Sequence, residues 1–166
     1  MSVRVLVVDD HPVVRAGIVG LLAGEADLDV VGEAGDGEQA CAMAADLRPD
    51  VVLMDLRMPV LDGAAATARI LALVPTARVV VLTTYETDAD ILRAVEAGAT
   101  GYLLKDTPRD DLVAAVRAVA GGETVLAPSV ARRLVRGVRT ASERLTTREL
   151  EVLRGVARCR GEPHAR

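Results

Sequence analysis

The sequence predicts an α/β fold: a doubly wound, five-stranded parallel sheet with five helices, followed by a partial α-helical C-terminal segment. Three observations carry this expectation. Five short runs rich in Val and Leu mostly lack in/out alternation, as strands covered on both faces do. Each run is followed by a stretch with helical spacing, in strict alternation over about 120 residues. Start and stop signals then bracket most of the helical stretches.

Val3–Val8 leads into Pro12–Leu22, with Pro12 in the first turn, where its missing N–H costs nothing. Leu28–Gly32 precedes Gly37–Leu47, for which Asp36 is an N-cap and Pro49 a stop. Val51–Met54 precedes Gly63–Leu73, capped by Asp62 and stopped by Pro75. Val79–Leu82 leads to Ala89–Ala97, with Asp88 ahead of Ile91 and Leu92 and Gly98 behind. Gly101–Leu104 leads to Arg109–Ala120, ended by Gly121–Gly122. Alternation of this kind winds by right-handed crossovers. The expected units are therefore a domain over 1–121, a linker over 122–144 with an Arg-rich helical stretch at Val130–Arg139, and a terminal piece over 145–166. In that piece Thr146–Ala157 opens with a Thr and has Glu149 three positions on.

Composition narrows the function classes. The 166 residues allow one domain and a small appendage, and 51% hydrophobic content excludes a disordered acidic chain. Two Tyr and no Phe or Trp exclude the aromatic platforms that single-stranded nucleic acid needs. The net charge of −4 is split: residues 1–125 carry 10 Lys+Arg against 20 Asp+Glu, and residues 126–166 carry 10 against 4. An acidic domain with a basic tail follows. Nineteen of the basic residues are Arg and one, Lys105, is Lys, so its compact ammonium asks for an explanation. No signal-peptide layout opens the chain, and no apolar run approaches the roughly 18–20 residues of a membrane span. Cys41 and Cys159 lie far apart without metal-ligand spacing. A reduced, cytoplasmic setting with Cys41 as a small core residue and no membrane partner is the expectation.

In a doubly wound sheet, ligands bind beyond the carboxyl ends of the strands. The first run ends in Asp9-Asp10, the third in Asp55, the fourth in Thr83-Thr84 and the fifth in Lys105. Three carboxylates, a hydroxyl and the single lysine are thus expected on one edge. Two unit charges about 4 Å apart repel by roughly 4 kcal/mol at an effective dielectric of about 20, so such a cluster must protonate, pair or hold a cation. Oxygen ligands suit Mg²⁺, and an ammonium beside it suits a phosphoryl group; an aspartate can itself be the nucleophile. Taken singly, each residue has a plain reading as a cap, turn residue or solvated charge. The joint placement at four strand ends favours chemistry.

Val7-Val8-Asp9-Asp10-His11, Asp55-Leu56-Arg57-Met58-Pro59-Val60-Leu61-Asp62-Gly63, Thr83, and Gly98 to Asp106 resemble the receiver domain of two-component response regulators. The Asp-Asp-His opening and Lys105-Asp106 are most similar to the NarL/FixJ subfamily, whose output is a LuxR-type helix-turn-helix. The resemblance implies a flavodoxin-like strand order, 2-1-3-4-5. It implies that Asp55 accepts a phosphoryl group from a sensor histidine kinase. Asp10 and Asp55 would ligate Mg²⁺, with Asp9 assisting and the backbone carbonyl of Arg57 completing the set. Lys105 would contact the phosphoryl group, Thr83 would swing to hydrogen-bond it, and Tyr102 would change rotamer with Thr83. A homodimer on phosphorylation is also implied. His11 reads as a residue that opens a helix near the acid pocket. Tyr85 reads equally as a switch residue or a loop aromatic.

Leu145 to Ala157 resembles the first helix of the LuxR-type module, which is about three times longer than the 22 residues present from Leu145 to Arg166. The recognition helix that reads the major groove is missing, so no intact DNA-binding site is expected. Residual basic charge offers weak, salt-sensitive phosphate contacts, while DNA would be the partner of a full-length parent. The stretch after about residue 140 is expected to pack poorly and to end as a truncation or frameshift. Three rivals were weighed. An aspartate-nucleophile phosphatase wants a second acid two residues after the nucleophile, where this chain has Arg57. A nucleotide or flavin module wants a glycine order that Gly32-x-x-Gly35-x-Gly37 lacks. A stand-alone receiver acting through protein contacts remains compatible.

Overall fold

The computed structural model describes residues 2–84, 88–128, 130–132 and 135. Its elements alternate as the apolar runs require: β1 (Val3–Val8), α1 (Pro12–Ala23), β2 (Leu28–Ala34), α2 (Gly37–Leu47), β3 (Val51–Asp55), α3 (Gly63–Leu73), β4 (Arg78–Thr83), α4 (Asp88–Ala97), β5 (Gly101–Leu104), α5 (Arg109–Ala120) and β6 (Val125–Leu126). All strand pairs are parallel, in the order β2-β1-β3-β4-β5-β6. The expected order 2-1-3-4-5 is present and is continued by a short sixth strand from the stretch read as linker. Val125 N–H donates to Thr100 O at 3.0 Å, and Ala127 N–H to Tyr102 O at 2.9 Å. The sheet therefore passes the boundary expected at residue 121. Residues 128, 130–132 and 135 are helical, where the Arg-rich stretch begins. The expected helix at 146–157 and Tyr85 lie outside the described residues.

The absence of in/out alternation has a direct cause. Leu6, Val8, Val52, Met54 and Val81 face one layer with Cys41, Ile70, Ile91 and Tyr102. Val5, Val7, Val51, Leu53, Val80 and Leu82 face the other, with Ile18, Leu22, Leu112 and Val116. Helices α2, α3 and α4 cover the first face; α1 and α5 cover the second. Both faces of β3 are buried along its whole length.

The caps follow the sequence in part. Asp36 accepts from Gln39 N–H and Asp62 from Ala65 N–H, each at 2.8 Å. Asp88, the start signal ahead of Ile91 and Leu92, is the first residue of α4. The C-terminus of α2 is closed by Arg48 at φ 48° and by the Arg4 guanidinium, whose Nη1 donates to Leu47 O at 2.6 Å and to Arg48 O at 3.2 Å. On the opposite face, Arg117 of α5 reaches Asp27 at 2.8 Å and Glu25 at 2.7 Å, while Arg109 reaches Glu25 at 2.6 Å. These pairs hold α5 to the α1–β2 connection.

The loop after β3 contains a tight turn. Leu61 N–H donates to Pro59 O at 2.8 Å, a γ-turn centred on Val60 at φ 71°. A β-branched residue there stores strain, and Val60 is 77% exposed, so packing gives little back. Val60→Gly should raise unfolding free energy by about 0.5–1 kcal/mol, because relief of the left-handed conformation exceeds the extra entropy of an unfolded glycine. Urea melts check this; a loss of stability in V60G would show that the turn is unstrained.

Candidate functional site

The topology brings four strand ends together. β1 lies between β2 and β3, so Asp9 and Asp10, just past β1, stand beside Asp55, the last residue of β3. β4 ends in Thr83 and β5 delivers Lys105, whose backbone N–H donates to Thr83 O at 2.8 Å. Asp9 is 1% exposed and Asp55 4%, a depth at which unpaired carboxylates are costly.

Lys105 supplies the pairing. Its Nζ lies 2.9 Å from Asp9 Oδ2 and 3.1 Å from Asp55 Oδ1. Burial alone would lower the lysine's pKa, but the hydrogen bonds and charges of Asp9 and Asp55 outweigh it and leave it raised. Asp55 goes the other way from most paired carboxylates. Burial first, then the charge of Asp9, pushes it from 3.8 up to about 6, against the pull of Lys105. One ammonium does not balance this crowd.

His11 sits over the pair, with Nδ1 3.1 Å from Asp10 Oδ1 and 3.4 Å from Asp9 Oδ1. Its backbone N–H donates to Asp9 Oδ1 at 2.9 Å. One donor atom from each of Asp9, Asp10, His11 and Asp55 lies within 4.8 Å of every other, a group able to hold a metal ion. Oxygen donors dominate, so a hard divalent cation fits. The Thr83 hydroxyl is buried and has no hydrogen-bond partner, as expected of a group placed for something outside the protein. A cleft of about 260 Å³ lined by Thr83, Thr84, Leu104, Lys105 and Asp106 opens beside it. A larger groove of about 620 Å³ between α5 and β6 is lined mainly by apolar residues such as Ala115, Ala118 and Leu126. The converging charges are at the acid end.

Tyr102 lies under this region, 4% exposed, with its hydroxyl donating to Ala99 O. Burial pushes the phenol up to about 12. Arg57, two residues beyond Asp55, sends its side chain away from the acids to Asp90 of α4 at 2.8 Å. Asp9, Asp10, Asp55, Thr83 and Lys105 are thus on one edge, Arg57 lies in the loop just past β3, and Tyr102 is buried in the core on the α4 side of the sheet.

Two features went unread in the sequence. Arg15 donates to Asp9 O at 2.7 Å and reaches Glu33 at 3.3 Å, fixing the β1–α1 turn from one helical turn beyond His11. Its spacing was the available signal. A second link ties the β3–α3 loop to α4: Asp62 caps α3 with Oδ1 and takes Arg93 on Oδ2 at 3.1 Å. Gly63 lets α3 start against the strand, since a Cβ there would lie 2.1 Å from Asp55 O.

Comparison with known proteins agrees with this geometry. Residues 5–117 match the response regulator receiver domain. Response regulator protein VraR of Staphylococcus aureus is 40% identical over 161 residues, covering 95% of this chain and 77% of VraR. A LuxR-family two-component response regulator from Aurantimonas has a TM-score of 0.76 at 34% identity, over 82% of this chain and 97% of that one. The signal receiver domain of Mycobacterium tuberculosis NarL has a TM-score of 0.70 at 40% identity, over 74% and 98%. Among the described residues, no helix is long and apolar enough to cross a membrane.

The raised pKa of Asp55 sets a stability window. The folded state holds this proton more tightly than the unfolded chain, so stability falls as pH rises from 3.8 to about 6. Above that window the ionised carboxylate carries its full cost. Without divalent metal near neutral pH, Asp55→Asn should therefore be more stable than the wild type by roughly 2 kcal/mol. Its stability should also lose the corresponding slope. Denaturant melts across pH test this, and a less stable D55N would refute the crowding account.

Proposed function

The chain belongs to the response regulator receiver family, and on that premise we propose that Asp55 is the phosphoacceptor of a two-component phosphorelay. The observation that carries this reading is the Lys105 ammonium held between Asp9 and Asp55, beside the partnerless Thr83 hydroxyl. The donor would be the phosphohistidine of a sensor histidine kinase.

An Asp55 carboxylate oxygen attacks phosphorus, the nitrogen–phosphorus bond breaks, and the imidazole leaves with that electron pair. The product is an acyl phosphate on Asp55. Lys105 exchanges part of its carboxylate contact for a phosphoryl oxygen. Asp10 and Asp55 would hold Mg²⁺, assisted by Asp9 and the backbone carbonyl of Arg57. When bound, the ion offsets charge that builds on the phosphoryl oxygens. Uptake from small donors is self-catalysed in this reading, with weak autodephosphorylation, and the protein works as a switch.

Phosphorylation adds acceptor oxygens next to Thr83, whose hydroxyl then gains a partner it otherwise lacks. That differential contact biases the end of β4, and Tyr102 beneath it, toward one conformer. The readout surface is α4, β5 and α5, and a homodimer forms there on phosphorylation. The receiver spans 1–121 together with β6, followed by the remaining linker and the LuxR-type segment at 145–166. Control of transcription runs through DNA binding by a LuxR-type output. A stand-alone receiver acting through protein contacts is the second reading.

Incubation with Mg²⁺ and a small phosphodonor, followed by intact-mass measurement, should give one phosphoryl adduct. Asp55→Asn should abolish it, while Thr83→Ala should keep uptake and lose phosphorylation-dependent dimerisation. Absence of an adduct under every Mg²⁺ and donor condition would overturn the reading.

A further inference from the structure

His11 is bound to its surroundings in an unusual way. It occupies the N-cap position of α1 but makes no side-chain cap, and its backbone is extended at φ −98° and ψ 110°. The imidazole turns instead toward the two carboxylates, 3.1 Å and 3.4 Å away, while its side chain stays 67% exposed to solvent. Neither contact is a hydrogen bond from the ring. Asp10 Oδ1 is shut off from solvent and has no hydrogen-bond partner despite the nitrogen beside it. The only hydrogen bond from His11 to Asp9 Oδ1 among the described residues comes from its backbone N–H.

Those separations have a different meaning in a coordination sphere. Two ligand atoms each about 2.1 Å from one cation stand about 3.0 Å apart at a right angle and about 3.4 Å apart at the tetrahedral angle. The two separations of the nitrogen from the oxygens have that spacing already. Asp55 closes the group, since its donor atom also lies within 4.8 Å of theirs. Imidazole nitrogen suits borderline first-row cations, whereas carboxylate and water alone suit Mg²⁺ and Mn²⁺.

We infer that His11 Nδ1 is a fourth side-chain ligand of the acid site, which makes it a mixed nitrogen–oxygen centre that prefers borderline divalent cations such as Co²⁺ to Mg²⁺. This rests on the acid cluster being a metal site, as proposed above. His11 adds the nitrogen; the carboxylates keep the capacity for Mg²⁺. Its exposed side leaves the ion a route from solvent.

The test uses the full chain without a histidine tag, near pH 7.5. Mn²⁺ serves as the spectroscopic probe, read by electron spin echo modulation. The wild type should show an imidazole ¹⁴N coupling that is absent from His11→Ala and His11→Asn. By calorimetry, Co²⁺ should bind the wild type at least about tenfold more tightly than either variant, while Mg²⁺ affinity changes less than about threefold. Missing nitrogen coupling, or Co²⁺ affinity that is equal in all three proteins, overturns the inference. If Mg²⁺ still binds and Asp55 is still phosphorylated, the switch reading survives that result. A coupling that persists in H11A arises elsewhere in the chain and equally overturns it. Failure of the wild type to bind any divalent ion overturns both readings.

Discussion

Like charges held at one sheet edge are the constraint on which this molecule turns. A parallel sheet delivers the ends of β1 and β3 side by side, and the sequence places Asp9, Asp10 and Asp55 there. Burial strengthens every interaction among them, repulsive and attractive alike. Lys105 is the partly buried cation that answers, and it is shared between two acids rather than committed to one. A long, flexible stem with a point charge suits that sharing, and it can also follow a charge that moves from carboxylate to phosphoryl group. The site is balanced incompletely, which leaves it receptive to a cation.

The same edge is connected to the surface on which a signal would be read. Arg57 to Asp90 and Asp62 to Arg93 run between the β3–α3 loop and α4 with opposite polarity, so each element both gives and receives a charge. Pairs this exposed contribute little stability each, on the order of 0–1 kcal/mol. Weakness suits a connection that would have to yield if the proposed switch moved the helix. The links from α5 to the α1–β2 connection form a four-residue charge network, Arg109, Arg117, Glu25 and Asp27, and sit on the opposite layer.

Much of this was legible in the sequence, and for identifiable reasons. Val-rich runs without alternation mark β3 and its neighbours because both faces are covered, and polar residues at their ends mark the site because ligands gather there. Asp36 and Asp62 were readable as caps because capping is local. What escaped depends on tertiary placement. Nothing in the spacing of Arg57 and Asp90, or of Asp62 and Arg93, brings them together before α4 is docked. The left-handed backbone of Val60 contradicts the preference of a β-branched residue and is imposed by the loop. Arg4 closes the end of α2 from a strand over forty residues away, which no local rule reaches. The position of His11 puts its imidazole near the acids, but its alignment with them depends on how the β1–α1 turn folds.

β6 was missed because two residues are too few to show a period, yet its position at the end of the sheet matters. The carbonyls of Thr100 and Tyr102 accept from Val125 and Ala127, so the outer edge of β5 is occupied by the chain's own backbone. Without that ribbon, β5 would present a row of unpaired acceptors and donors, a template onto which a foreign strand can add. The short segment after α5 is therefore a built-in guard against edge-to-edge aggregation. A receiver cut at the end of its last long helix would carry an open seam.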